Sequence, residues 1–179
     1  MAEEISHFSN PDACHFQYFD PNARSYLRAL QCLETYIQMN GPFDGVFGFS
    51  QGAGLALMYL IRHKHLHPYA PQPFKLAVLS LRVGVYDLGQ WMKNGISVPL
   101  LSMPRGLSKI DLPVAVVWGE NDWDAAKFEA TTTTAPVRDE DVWTFVHAGG
   151  HEPPSPKVEG SIIGAVKAIN TAVTQALGM

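Results

Sequence analysis

Phe43-Asp44-Gly45-Val46-Phe47-Gly48-Phe49-Ser50-Gln51-Gly52-Ala53-Gly54 is the stretch on which the reading of this 179-residue chain turns. Val46, Phe47 and Phe49 form a short apolar run opened by Asp44-Gly45, the pattern of a buried strand. From Gln51 the pattern changes. Ala53, Leu55, Ala56, Leu57, Met58, Leu60 and Ile61 make a segment long and apolar enough for a buried helix. Ser50 stands at the junction, inside Gly48-Phe49-Ser50-Gln51-Gly52. That is a G-x-S-x-G strand-to-helix turn, which lifts a serine hydroxyl clear of the sheet. Glycine is expected at both ends of the motif because a Cβ there would strike the neighbouring strand or helix. The amides and dipole at a helix N-terminus also favour a developing negative charge beside Ser50. The alternative is a serine that merely caps the helix, and the strand before it and helix after it favour the strained turn.

Working outward, Asp20-Pro21 reads as an N-cap followed by proline at the first helical position. Tyr26, Leu27, Leu30, Leu33 and Ile37 predict a helix over 21–39, stopped by Asn40-Gly41-Pro42. Cys32 falls inside it and is expected to be core or half-buried filler. Residues 1–20 show no clear period and are expected to be irregular, with His7 and His15 at the surface. Leu76, Ala77, Val78, Leu79 and Leu81 predict a second strand within Phe74 to Val83, and Pro113 to Trp118 a third. Val142, Thr144, Phe145 and Val146 predict a fourth, and Ile162, Ile163, Val166, Ile169, Val173 and Leu177 a closing amphipathic helix. Segment 84–110 reads as short turns and loops, and Thr131 to Thr134 as loop or helix start. Strands alternating with helices, without hairpin signals, mean an α/β fold with a mostly parallel sheet.

One domain spanning 1–179 is expected at this length. A net charge of −4 argues against nucleic acid and anionic membranes as partners. The two cysteines, Cys14 and Cys32, make no disulfide framework, no apolar run reaches membrane-spanning length, and the acidic start lacks the form of a signal peptide. A cytoplasmic protein is the expectation. His63 and His67 are four apart and could share a metal on one helical face, but no third ligand accompanies them and no metal is expected.

In a parallel sheet, chemistry gathers at the carboxyl ends of the strands. The third strand runs into Gly119-Glu120-Asn121-Asp122-Trp123-Asp124, and the fourth into His147-Ala148-Gly149-Gly150-His151-Glu152-Pro153. A serine hydroxyl needs a general base in reach, and the base needs an acid to fix its tautomer. The order Ser50, then an aspartate, then His151 is the serine–acid–histidine order of α/β-hydrolases. Asp122 also fits a plain turn residue, with Asp124 and Asp87 as alternative acids. His147 is a rival base that reads better as a packed or surface histidine.

The run Asn40-Gly41-Pro42-Phe43-Asp44-Gly45-Val46-Phe47-Gly48-Phe49-Ser50-Gln51-Gly52-Ala53, with Gly119-x-x-Asp122 and Gly149-Gly150-His151, resembles the fungal serine hydrolase (FSH-type) family of α/β-hydrolases. The similarity runs from about Phe16 to the C-terminus. It implies Ser50 as nucleophile, Asp122 as acid, His151 as base and the backbone N–H of Gln51 as one oxyanion donor, with no metal and no organic cofactor. It also implies an esterase or thioesterase. Some members release polyketide acyl chains from carrier proteins in fungal secondary metabolism, so the expected partner is a small-molecule or carrier-protein-bound acyl substrate. By the same analogy the acyl pocket would draw on Tyr86, Trp91 and Trp123.

Two departures from the family stand out. Its N-terminal strand ends in a His-Gly motif whose loop supplies a second oxyanion amide, and nothing here corresponds to it. The expectation is therefore a truncated α/β-hydrolase fold lacking roughly the first third, with an unpaired sheet edge covered by residues 1–20, a homodimer or a partner chain. After the second strand the family often reads Ser-Gly-Phe, where this chain has Ser80-Leu81-Arg82-Val83-Gly84, and Arg82 is expected to be a solvated strand-end residue. Losing one oxyanion donor costs on the order of 10²–10³ in rate. A catalytically silent hydrolase-fold binding or accessory protein is thus the alternative function, and cyclisation or acyl transfer a third.

Overall fold

The computed structural model describes residues 17–80, 86, 92–95, 109–122 and 136–179. Helix α1 (Ala23–Asn40) leads into strand β1 (Gly45–Phe49) and helix α2 (Gln51–Leu66). Strands β2 (Leu76–Ser80), β3 (Val114–Gly119) and β4 (Val142–His147) follow, and helix α3 (Ser161–Ala176) closes the chain. The strands form one four-stranded sheet in the order β1-β2-β3-β4, and every neighbouring pair is parallel. This is the α/β architecture that the alternating pattern predicts.

Side-chain alternation divides the core between two faces. Ala77, Leu79, Val114 and Val116 join the buried residues of α1 and α2, while Val78 and Ala115 meet Ala172 of α3. β3 is almost wholly buried because helices cover it on both sides, which accounts for its unbroken Val-Ala-Val-Val run. Leu60, Leu57, Tyr26 and Leu30 are the fully buried side chains that fasten α2 to α1. The Tyr26 hydroxyl donates to the Gly54 carbonyl at 3.1 Å, and burial raises its pKa far above the ordinary phenol range.

Three expectations are corrected here. The N-cap of α1 is Asn22, whose Oδ1 accepts from Ser25 N–H at 2.8 Å, and Asp20 and Pro21 lie before the helix. Asp20 instead donates its own N–H to Ser25 Oγ and gives its carbonyl to Asn22 N–H, a turn that hands the cap to the next polar residue. Cys32 is exposed. It stands two positions from Leu30, some 200° around the helix from the buried Tyr26–Leu30 stripe. Third, only one of the two motif glycines is demanded sterically. A Cβ at Gly48 would lie 2.5 Å from Ala53 Cα and 2.7 Å from Gly52 O, whereas one at Gly52 would meet only the Tyr18 ring, at 3.4 Å.

Among the described residues, β1 and β4 are the outer strands of the sheet. Phe47, on β1, is 67% exposed, on the face away from α2. The residues named at the sequence level as His7, His15, Cys14, Arg82, Asp87, Trp91, Trp123, Asp124 and Thr131 to Thr134 lie outside the described residues.

Near the C-terminus of α2, the His63 and His67 rings lie 5.1 Å apart. Burial of His63 pulls its pKa down, with His67 and Lys64 adding to the effect and Glu34 opposing it. The unfolded chain therefore takes up this proton first as pH falls, so stability at this site is full above the unfolded imidazole range and lost on acidification through it. His63→Gln should leave a shallower loss of stability between neutral and mildly acidic pH than wild type, read from urea midpoints across that range. Gly48→Ala is expected to cost about 1–3 kcal/mol or more, because the backbone of Gly52 and Ala53 must give way; urea unfolding that matches wild type would refute the packing described for this turn.

Candidate active site

Ser50 lies between β1 and α2 at φ 50°, ψ −124°, the sole positive-φ residue other than glycine among the described residues. Such a conformation costs on the order of 1–3 kcal/mol and persists only where its surroundings hold it. Three backbone bonds do so. Ser50 N–H donates to Ser80 O on β2 at 3.0 Å, and Ser50 O accepts from Ala53 and Gly54 N–H at 2.9 and 3.3 Å. The hydroxyl is thereby lifted off the sheet, and the Gln51 amide becomes the first of α2, where no intrahelical carbonyl is available to it.

Facing Ser50 is His151, 101 residues further along the chain. Its Nε2 lies 3.2 Å from Ser50 Oγ. Its Nδ1 lies 3.0 and 3.1 Å from the two carboxylate oxygens of Asp122. With the carboxylate holding the Nδ1 proton, Nε2 is left as the acceptor for the serine hydroxyl. The Asp122 side chain is fully buried and that of His151 is 18% exposed, so the carboxylate is screened from water while the imidazole is partly exposed. The Phe49 ring flanks the imidazole, with centroids 6.2 Å apart.

All three groups come from the carboxyl ends of strands, and the loops that carry Asp122 and His151 are bonded to one another. Glu120 N–H donates to His147 O at 2.8 Å, and Asn121 N–H to Gly149 O at 3.0 Å. Asn121 Nδ2 donates to Ala148 O at 2.9 Å. Gly119 makes this approach feasible: a Cβ there would sit 2.2 Å from Gly150 O and 2.3 Å from Gly149 O. Asp122 and His151 are therefore held by backbone pairing between their loops as well as by their own hydrogen bond.

Of the sequence-derived candidates, the structure brings together Ser50, His151 and Asp122, with the Gln51 amide beside them. His147, the rival base, is 3% exposed and turned into the loop, with Nδ1 accepting from Gly149 N–H. Tyr86 packs edge-on against Tyr26 at 6.4 Å as part of the core. A further contact had no signal in the sequence pattern. The Gln51 side chain accepts from Tyr18 N–H at 2.7 Å and donates to Phe19 O at 3.0 Å, tying the segment before α1 to the start of α2.

Comparison with known proteins agrees with this picture. The chain is 31% identical over 179 residues to the Esterase FPY3 of Fusarium mangiferae, in an alignment covering 98% of this chain and 78% of that protein. It is 42% identical over 74 residues to the Serine hydrolase cnsH of Penicillium expansum, covering 40% of this chain and only 29% of that protein. Among solved structures, a variant of Arabidopsis thaliana SOBER1 superposes with a TM-score of 0.51 at 17% identity, over 89% of this chain and 67% of that one, a likeness of fold alone. The family described as Serine hydrolase (FSH1) matches residues 2–161. With most of its length matched in this way, the chain belongs to the serine hydrolase (FSH1) family.

Proposed function

We propose that this protein hydrolyses an ester or thioester through a covalent acyl-enzyme, with Ser50 as nucleophile, His151 as general base and acid, and Asp122 as the group that orients His151. The observation that carries the reading is the continuous pair of contacts from Ser50 Oγ to His151 Nε2 and from His151 Nδ1 to Asp122. Ser50 Oγ attacks the acyl carbonyl as its proton passes to His151 Nε2. The imidazolium so formed is stabilised by the buried Asp122 carboxylate. The carbonyl oxygen, now carrying the negative charge, faces the Gln51 N–H at the positive end of α2. Collapse of this intermediate transfers the proton from His151 to the departing alcohol or thiol and leaves the acyl group on Ser50. Water then attacks, giving its proton to His151, and the free acid leaves as Ser50 is reprotonated.

An acyl chain delivered by a carrier protein in fungal secondary metabolism is supported by the family resemblance. Pairing along the edge of β1, by a second copy or another chain, is supported by its terminal place in the sheet and by the exposure of Phe47. No helix among the described residues is long and apolar enough to cross a membrane.

Turnover of a series of acyl esters and acyl thioesters tests the assignment. Ser50→Ala should abolish hydrolysis across the series. Asp122→Asn should keep the fold yet lower kcat by about 10³–10⁴, because an amide stabilises the wrong imidazole tautomer. Wild-type rates in either variant would contradict the assigned roles. Gly119→Ala should also reduce kcat by about tenfold or more, since its methyl group would push the Gly149-Gly150 loop and move His151.

A further inference from the structure

The loop that carries His151 also contains a histidine for which the proposed reaction has no use. His147 ends β4 and is 3% exposed. Its Nδ1 accepts the N–H of Gly149 at 3.1 Å, within the protein interior. A neutral ring must then carry its proton on Nε2, and Nε2 is buried without a hydrogen-bond partner among the described residues. Burying a polar atom without a partner costs stability. An apolar side chain would fill the same space without that cost, so the one bond the ring does make has a role beyond packing.

That bond acts on the turn leading to His151. A Cβ at Gly149 would come within 2.8 Å of His147 Nδ1 and 3.0 Å of Cε1, so the ring lies directly against the glycine backbone. The carbonyl of the same residue accepts from Asn121 N–H, next to Asp122 in the chain. Gly149 is thus gripped on its N–H by His147 and on its carbonyl by the loop of Asp122. Two residues later, His151 reaches Ser50 and Asp122 together.

We propose that His147 is a positioning residue for His151: by accepting the Gly149 N–H, it holds the 147–151 turn in the form that aims His151 Nε2 at Ser50 Oγ. The inference rests on the triad reading given above. Its chemistry requires the ring to be an acceptor at Nδ1, and only this feature, not the volume of the ring, matters for catalysis.

Two substitutions separate those properties. His147→Asn keeps an acceptor at the same point along the side chain, and asparagine readily bonds a backbone N–H two residues on. His147→Phe keeps the ring and removes the acceptor. In ester hydrolysis, His147→Asn is expected to retain kcat within about threefold of wild type, whereas His147→Phe should lose at least about tenfold in kcat with KM changed by less than about twofold. A role in packing alone predicts the reverse order, because asparagine leaves a cavity where phenylalanine fills the space. Thermal melts of each variant accompany the kinetics, and His147→Leu takes the place of the phenyl variant if that one does not fold. Full kcat in the variants without an acceptor, beside an inactive Ser50→Ala, would overturn the positioning role alone. Turnover unaffected by Ser50→Ala would overturn the triad reading and this proposal with it.

Discussion

The backbone of Ser50, held at φ 50°, is the constraint on which the rest of the site depends. A serine left to itself would not adopt it. It is kept there by the bond to Ser80 O on the neighbouring strand, by the first turn of α2, and by the absence of a side chain at Gly48, where backbone atoms already fill the space. The local cost is met by burial around it. α2 packs nearly all its residues from Ala53 to Ile61 against the sheet and α1, so the turn cannot relax without disturbing the core. Strain at one residue thus becomes a fixed direction for one hydroxyl.

A fixed hydroxyl is useful only if its partners are equally fixed. Parallel pairing of β3 with β4 brings Gly119 level with His147, so the loops after the two strands emerge side by side. The missing side chain at Gly119 lets those loops touch through their backbones, and three hydrogen bonds, one from Glu120 and two from Asn121, close the contact. Asp122 and His151 are therefore carried on loops bonded to each other, set against the strained turn of β1 and α2. The Asp122 carboxylate is buried while the His151 imidazole is partly exposed.

Much of this was legible in the sequence, because buried strands and helices leave periodic traces. The β-branched run in β3 is a strand enclosed by helices, as its pattern predicts, whereas the run from Val46 to Phe49 is a strand in the predicted place but not a buried one, since Phe47 is exposed on the face away from α2. Asp122 and His151 were candidates because they follow strands in a parallel sheet. What the pattern did not carry are features set by contacts between distant backbones. Asp20 and Asn22 are both good capping residues, and the choice between them is made by the Ser25 hydroxyl, which takes the Asp20 N–H. Cys32 reads as core or half-buried filler from its place within a helix, but its angular position puts it in solvent. The Gln51 side chain and His147 Nδ1 bond to main-chain groups of Tyr18, Phe19 and Gly149, and main-chain groups have no residue-specific signature.

The central claim is that Ser50 is an activated nucleophile, and its most direct test is covalent. Purified protein would be incubated with a fluorophosphonate, and its intact mass measured beside that of Ser50→Ala. The account predicts a single adduct on the wild-type chain and none on the variant, since a phosphonyl group is transferred only to a serine whose proton a neighbouring base can take. A folded wild-type protein that stays unmodified, or an equal adduct on Ser50→Ala, would contradict it.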